Sequence, residues 1–270
     1  MTEREMDIYK RLQDHFDESL EHFDESQIVG LFLQGSQNYN LDIPGSDIDT
    51  KLIIVPSFRD IALNNRPVST THIRENNEHI DFKDVRLYFE TFRKQNLNFL
   101  EILFTEYFII PSQYYNQWER LIANREDIAR MNKYRAVKSM KGIALEKFHA
   151  MEHPYPSKLE IIAKHGYDCK QLHHLVRVDN YLTRYIAGER YENCLIPDDK
   201  MREFLLDIKL GNWNLDEARK LAKQSVEHVT AIADTFCSKS EDKEDAEIRA
   251  LLQDVQYEIM KIAVESELKK

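Results

Sequence analysis

Two short apolar runs stand out near the amino-terminal end of the sequence, one over residues 28–34 and one over 48–55. Apolar runs of this length, rich in branched side chains and bounded by turn residues, predict buried strands. A third strand is predicted over 79–83, where apolar and polar residues alternate. In that strand Ile80 and Phe82 are expected on one face of the sheet, because successive side chains of a strand point to opposite faces.

Helical spacing of apolar residues dominates the remainder of the sequence. Residues 3–22 are the first amphipathic stretch, and Asp84 is expected to cap a helix that begins at Val85. Residues 96–104 are a further helical stretch, whereas 57–77 have no clear period. After residue 112 there is no strand signal, and helices are predicted over 114–123, 126–152, 157–188, 198–208, 214–237 and 246–268.

This order of elements predicts an α+β fold in which a small mixed sheet is followed by an all-helical region. We expect the α/β core to cover residues 1–111 and the helical region 112–270. The chain has 270 residues, of which 42% are hydrophobic, and this is enough for one large domain or two small ones.

Composition and charge restrict the partners that the chain is expected to have. No apolar run approaches the roughly 20 residues of a membrane helix, and the polar start of the sequence is not a signal peptide. Three widely spaced cysteines without a Cys-x-x-Cys pair are typical of a cytoplasmic protein. The net charge of −10 argues against binding of long nucleic acid by the whole surface, so a nucleic-acid partner would be held by a local patch or by its end.

Candidate chemistry lies between the first two predicted strands. Gly35 and Ser36 follow the first strand, and Asp47 and Asp49 lie at the start of the second. Alternate residues of a strand share a face, so the two carboxylates should project together. They repel each other unless a cation lies between them, and their hard oxygen atoms suit Mg²⁺, with Mn²⁺ as a possible substitute. The Gly-Ser turn offers N–H groups and a hydroxyl to a phosphate, so the set predicts phosphoryl or nucleotidyl transfer.

At these residues the chain resembles the DNA polymerase beta superfamily of nucleotidyltransferases, in which a Gly-Ser pair precedes an Asp-x-Asp motif. Further segments are similar to one branch of that superfamily, the RNA-ligase-associated predicted nucleotidyltransferases. Leu97 stands where that branch usually has proline, which we expect to alter a turn and not the chemistry. The matching segments are residues 44–49, 96–104, 166–170, 174–177 and 211–215.

The resemblance implies an enzyme that moves an NMP from an NTP such as ATP to a hydroxyl acceptor and releases pyrophosphate. Two-metal transfer of this kind needs a third acidic ligand beside Asp47 and Asp49. Asp81 is the first candidate, because it lies on the polar face of the third predicted strand. The alternatives are Asp84, which a helix cap would fully explain, and Glu78.

Lys170, His174 and Arg177 are the other candidate nucleotide-binding residues. They lie at i, i+4 and i+7 of a predicted helix, so they share one face and could hold a triphosphate. The alternative is an ordinary solvated helix face. The resemblance favours the nucleotide role, because these residues fall in two of the matching segments.

The sequence leaves several functions open. The acceptor of the transferred NMP could be an RNA 3′ end, as in RNA repair, or a protein hydroxyl, or a small molecule. A nucleotide-binding regulator with an inactive transferase site is the main alternative, and a helical interaction module is a third. We expect an NTP as partner and no membrane, and the oligomeric state stays open.

Overall fold

The computed structural model describes residues 2–269. Its fold is α+β, as predicted, with one small mixed sheet and a largely helical carboxyl-terminal part. The strands are β1 (Ile28–Gln34), β2 (Asp49–Ile54), β3 (Ser69–Ile73), β4 (His79–Asp84) and β5 (Phe108–Ile109). The helices are α1 (Glu3–Ser19), α2 (Phe58–Ala62), α3 (Val85–Arg93), α4 (Leu97–Leu100), α5 (Tyr115–Ala123), α6 (Arg125–Arg130), α7 (Lys133–Ala150), α8 (Leu159–His165), α9 (Cys169–Ile186), α10 (Tyr191–Leu195), α11 (Asp199–Lys209), α12 (Leu215–Cys237) and α13 (Ala246–Leu268).

The sheet has the strand order β3-β4-β2-β1-β5. Strands β2 and β4 are parallel, and the other neighbouring pairs are antiparallel. The three predicted strands are therefore the three central ones. The two edge strands were not predicted: β3 falls in the 57–77 segment and is almost wholly exposed, so it has no apolar face, and β5 has only two residues.

One face of the sheet packs against α1. Apolar side chains of α1 meet the inward-facing residues of the three central strands, and each of these side chains is almost fully buried. This core consists of Ile8, Leu12, Phe16, Ile28, Leu31, Leu33, Ile48, Leu52, Ile54, Ile80 and Phe82. Because β1, β2 and β4 all contribute to it, the core fixes which residues of these strands point to the other face.

The opposite face of the sheet carries both the polar candidates and a second apolar contact. The Phe32 ring lies against Trp118 of α5, with 4.2 Å between the ring centroids.

Helix α3 follows β4 directly, and Asp84 caps it by accepting a hydrogen bond from the Arg86 N–H at 2.9 Å. The predicted cap is thus confirmed.

Two long predicted helices are each divided by a local break. The stretch predicted over 126–152 is divided into α6 and α7, and Asn132 caps the second of them. The stretch predicted over 157–188 is divided into α8 and α9. Helix α8 ends at Gly166, whose φ of +80° suits glycine, and Asp168 then caps α9. Within residues 2–269, no helix combines the length and the apolar character needed to cross a membrane.

The chain forms two compact units. The first comprises residues 1–38, 42–131 and 244–270, and the second comprises 39–41 and 132–243. Units defined by contacts need not coincide with domains, so the division at residue 111 remains a prediction. The first unit holds the whole sheet, and α13 packs there against α3 and α5.

The second unit is built around α7, α9 and α12, which pack against one another, and α10 and α11 lie against α9. Residues 39–41 join this unit through two cationic side chains. The Arg177 guanidinium lies 4.0 Å from the centre of the Tyr39 ring, and Lys209 Nζ donates to the Leu41 carbonyl at 2.6 Å. Both helices therefore hold the short segment in place.

Candidate active site

The Gly35-Ser36 turn follows β1 without a break. Gly35 has a φ of +102°, which glycine adopts without the strain that a side chain would add. A Cβ there would have open space, since the nearest atom, Gln37 Oε1, would lie 3.9 Å away. Backbone conformation and not crowding therefore explains the glycine, and Ser36 opens a short 3₁₀ turn, Ser36–Tyr39.

The register of β1 with β2 brings this turn to the aspartates. Gln34, the residue before Gly35, is paired directly with Asp49. Asp47 lies just before the strand and is exposed, whereas Ile48 between the two aspartates is buried. Gln37 Nε2 donates to the Asp47 carbonyl at 2.8 Å, so the turn and the Asp-x-Asp loop are also joined by a hydrogen bond.

The two carboxylates differ in how firmly they are held. Asp49 Oδ1 accepts from the His79 N–H at 3.1 Å and lies 3.0 Å from His79 Nδ1. The carboxylate of Asp47 has no hydrogen-bond or ion-pair partner among residues 2–269. One carboxylate is thus oriented by β4, and the other is open to a ligand.

Asp81 lies on the same face of the sheet as Asp49. It is paired in register with Lys51 of β2, and its Oδ2 lies 3.4 Å from Lys51 Nζ. Its Oδ1 accepts from the Thr71 hydroxyl at 2.6 Å. The structure therefore brings Asp81 to the strand beside Asp49, where both its oxygen atoms already have partners.

Lys51 is the residue of this site that sequence reasoning missed. Its side chain is only 3% exposed, and Nζ lies 4.4 Å from the centre of the Phe99 ring. Burial lowers the pKa of Lys51 below its ordinary value, and the Asp81 carboxylate opposes this shift. A lysine directly before the apolar run of residues 52–55 in a predicted buried strand was the available signal, since such a residue needs a buried partner.

The two alternative third carboxylates are occupied elsewhere. Asp84 is buried, caps α3 and pairs with the Arg86 guanidinium at 2.6 Å. Glu78 is also buried, and its Oε1 accepts from the Ile48 N–H at 3.1 Å. Of the three acidic residues considered, only Asp81 has a partly exposed carboxylate, at 35% of its side-chain surface.

Mg²⁺ is the metal expected beside these carboxylates. Among residues 2–269, no three His, Cys, Asp or Glu side chains are grouped in a ready metal cage. Mg²⁺ in nucleotide enzymes is commonly held by one or two carboxylates together with waters and substrate phosphates. The open carboxylate of Asp47 and the half-exposed carboxylate of Asp49 fit a metal that arrives with its nucleotide.

The predicted nucleotide-binding residues of the helical region all lie on α9, in the second unit. Lys170 and His174 are exposed, and Arg177 lies over the Tyr39 ring. A packing role for Arg177 is therefore visible, and a nucleotide-binding role for Lys170, His174 and Arg177 remains a prediction. Nearby, His173 is buried and its Nδ1 lies 2.8 Å from the Leu205 carbonyl, and burial lowers its pKa to about 4.

Comparison with known proteins adds little to this site. No family profile matches the sequence, and no curated protein matches it. Among solved structures, the chain is similar to a nucleotidyltransferase-like protein from Exiguobacterium sibiricum 255-15, with 11% sequence identity and a TM-score of 0.33 over 85% of this chain and 77% of that one. A similarity at this level establishes neither a shared fold nor a shared activity.

Proposed function

We propose that the chain is an Mg²⁺-dependent nucleotidyltransferase that moves an NMP from an NTP to a hydroxyl acceptor. The observation that supports this most directly is the register of Gln34 with Asp49. This register puts a turn with N–H groups and a serine hydroxyl beside two carboxylates. Phosphate donors next to metal-binding oxygen atoms are what transfer from a triphosphate requires.

In the proposed reaction, the acceptor hydroxyl oxygen attacks the α-phosphorus of the NTP. The new O–P bond forms as the bond from the α-phosphorus to the bridging oxygen breaks, and pyrophosphate leaves with that electron pair. The hydroxyl proton passes to the Asp81 carboxylate and from there to water. Bound Mg²⁺ would neutralise phosphate charge and lower the pKa of the attacking hydroxyl.

The residues of the chain have separate roles in this proposal. Gly35 and Ser36 hold the phosphates through backbone N–H groups and the hydroxyl. Asp47 and Asp49 hold the metal, and Asp81 faces the acceptor. Most of the catalytic effect would come from positioning and from stabilisation of charge, as in other phosphoryl transfers.

A labelling experiment tests the proposal. Each α-³²P-labelled NTP is incubated with the protein, Mg²⁺ or Mn²⁺, and a pool of total RNA and protein. The test variant is Asp47→Asn/Asp49→Asn, and the matched control is Asp14→Asn/Glu21→Gln, which removes two exposed carboxylates of the same unit. We expect label in RNA or protein with the wild type and the control, and none with the test variant.

The identity of the labelled fraction also names the acceptor. Label in RNA that is lost after the 3′ hydroxyl is blocked indicates an RNA end, and label in protein indicates NMPylation. The net charge of −10 favours a short or local contact with RNA. Equal labelling by the test and control variants would contradict the proposed function.

A nucleotide-binding regulator without transferase activity is the second candidate. One observation favours it: both oxygen atoms of Asp81 have partners, namely Lys51 and Thr71, so the third carboxylate is not free in this structure. This candidate predicts that an NTP with Mg²⁺ raises the melting temperature of the protein while no acceptor is labelled.

A further inference from the structure

A buried carboxylate lies directly beneath the Asp-x-Asp loop and has no part in the proposed chemistry. The Glu78 side chain is 2% exposed and comes just before β4. Five groups surround its two oxygen atoms, and each of them can donate a hydrogen bond: Arg11, His15, Ile48 N–H, Arg74 and Asn76. A carboxyl group that only accepts is in its ionised form.

On the loop side, Glu78 holds the peptide between the two aspartates. Its Oε1 accepts from the Ile48 N–H at 3.1 Å and also pairs with the Arg11 guanidinium. The same guanidinium approaches the Ser46 carbonyl, with Nη2 at 3.4 Å. The next residue, His79, holds the Asp49 carboxylate through its N–H. Two successive residues therefore fix the loop from Ser46 to Asp49.

On the helix side, Glu78 is linked to α1 through His15, which is fully buried. His15 Nε2 lies 2.9 Å from Glu78 Oε2, and Nδ1 lies 2.9 Å from the Thr50 hydroxyl. Burial lowers the pKa of His15 to about 4, so the ring is neutral at pH 7. Nε2 then donates to Glu78, Nδ1 accepts from Thr50, and the residue after Asp49 is held as well.

Stability alone is a poor reason for this arrangement. Apolar contacts already join α1 to the sheet, and a buried ion pair is often no more stable than apolar residues of similar volume. What the directional bonds of Glu78 add is a defined geometry for the peptide groups from Ser46 to Thr50. Supporting bonds of this kind commonly orient the side chains that bind a metal.

We propose that Glu78 is a positioning residue, which holds the Asp-x-Asp loop so that both carboxylates face the metal-bound nucleotide. This inference rests on the proposed function, because it assigns Glu78 to that same site. Glu78 itself touches neither metal nor substrate. It acts through the Ile48 peptide and, with His79, through Asp49.

Two glutamate variants of one hydrogen-bond network test the inference. Glu78→Gln replaces one accepting oxygen by an NH₂ group, which cannot accept from Ile48 or from the guanidinium groups. The control is Glu18→Gln: Glu18 bonds to Arg74 and His72 in the same network, and within the described residues it has no hydrogen bond or ion pair with residues 46–49. Mn²⁺ binding is measured by the EPR signal of free Mn²⁺, and exchange of the Ile48 amide by NMR.

We expect Glu78→Gln to weaken Mn²⁺ binding by about 10-fold or more and to speed exchange of the Ile48 amide. Glu18→Gln should leave both quantities at their wild-type values. If Glu78→Gln does not fold, Arg11→Gln replaces it, because Arg11 is 29% exposed and holds both Glu78 and the Ser46 carbonyl. It should weaken Mn²⁺ binding by a smaller factor.

Three results are distinguishable. Wild-type affinity and wild-type Ile48 exchange in Glu78→Gln would overturn the positioning role while the proposed function stands. An equal loss of Mn²⁺ affinity in Glu18→Gln would also overturn it, because the loss would then follow from general destabilisation. A wild-type protein that binds no Mn²⁺ would overturn both the metal site and the positioning role, and the wild-type measurement alone reveals this case.

Discussion

Loss of the Asp81 carboxylate would leave the Lys51 ammonium buried without the anion that contacts it. Asp81→Asn makes this change with almost no change in volume, and the amide oxygen can still accept from Thr71. The Lys51 side chain is only 3% exposed and its ammonium lies against the Phe99 ring, so the charge would be left in a poorly solvated place. We therefore expect a clear loss of stability from one exchanged atom.

The magnitude follows from the distance and the exposure. Two unit charges 3.4 Å apart attract by about 5 kcal/mol at an effective dielectric constant near 20, which is an upper bound here. The Asp81 side chain is 35% exposed, so water already screens and solvates part of its charge. Breaking a buried pair costs about 3–5 kcal/mol and an exposed pair contributes about 0–1, so we expect a loss of about 2 kcal/mol.

A double-mutant cycle with Lys51→Met measures this interaction. Urea unfolding at pH 7, followed by tryptophan fluorescence, gives the free energy of unfolding of each variant. The Lys51→Met/Asp81→Asn variant should lie within about 1 kcal/mol of the wild type, because methionine fills the same space without a charge. As a control, Lys83→Met in the same cycle should couple less, since Lys83 Nζ contacts the Ser69 hydroxyl at 2.8 Å.

A coupling energy below about 0.5 kcal/mol, the limit expected for independent sites, would refute the reasoning. The double variant also separates stability from chemistry. Lys51→Met/Asp81→Asn should be stable, because both charges are replaced. If Asp81 accepts the hydroxyl proton, this stable variant should transfer no nucleotide. A stable double variant that still labels an acceptor would exclude Asp81 from the catalytic residues.

Three further predictions concern residues of the first unit, and the second of them uses a control residue, Gly142, from the second unit. Asp47→Asn/Asp49→Asn should abolish transfer without lowering the melting temperature, because like charges are removed, and a lower temperature in thermal unfolding would contradict this. Gly35→Ala should lower the free energy of unfolding in urea by about 1–3 kcal/mol, because the φ of Gly35 is +102°. The control Gly142→Ala lies inside α7 with open space around it and should raise this free energy by up to about 1 kcal/mol. Equal effects of the two variants would exclude backbone strain at Gly35. His15 has a pKa of 6.5 in the unfolded chain and of about 4 in the folded chain, so between these pH values only the unfolded chain binds the proton. The contribution of neutral His15 to stability is therefore complete above pH 6.5 and falls by on the order of 3 kcal/mol towards pH 4. Urea unfolding at pH 7, 5.5 and 4.5 checks this, and a flat profile in this range would contradict it.

Much of the fold was predictable because its signals are local. The central strands β1, β2 and β4 are short apolar or alternating runs, and each contributes to one buried core. The predicted cap Asp84 bonds to the backbone N–H of Arg86, two residues further on, so a short stretch of sequence contains the whole motif. The turn at Gly35 was predicted for the same reason.

The parts that were missed depend on contacts between distant residues. Strand β3 pairs with β4 through its backbone while its side chains stay exposed, and backbone pairing leaves no pattern in the sequence. Lys51 lies 30 positions from Asp81, and Glu78 lies 67 positions from Arg11. Their partners are set by the register of the sheet and by the packing of α1, which no local spacing contains.

The place of α13 in the first unit has a consequence for how the chain is made. This helix buries Leu252, Val255 and Ile259 and packs against α3 and α5, but residues 132–243, which form most of the second unit, precede it in the chain. On the ribosome, the unit that carries Asp49 and Asp81 must therefore wait with an uncovered apolar surface until α13 emerges. Domains usually fold in order from the amino terminus. Here the order is interrupted, and a nascent chain shortened before residue 246 should need a chaperone to protect the unit it leaves unfinished.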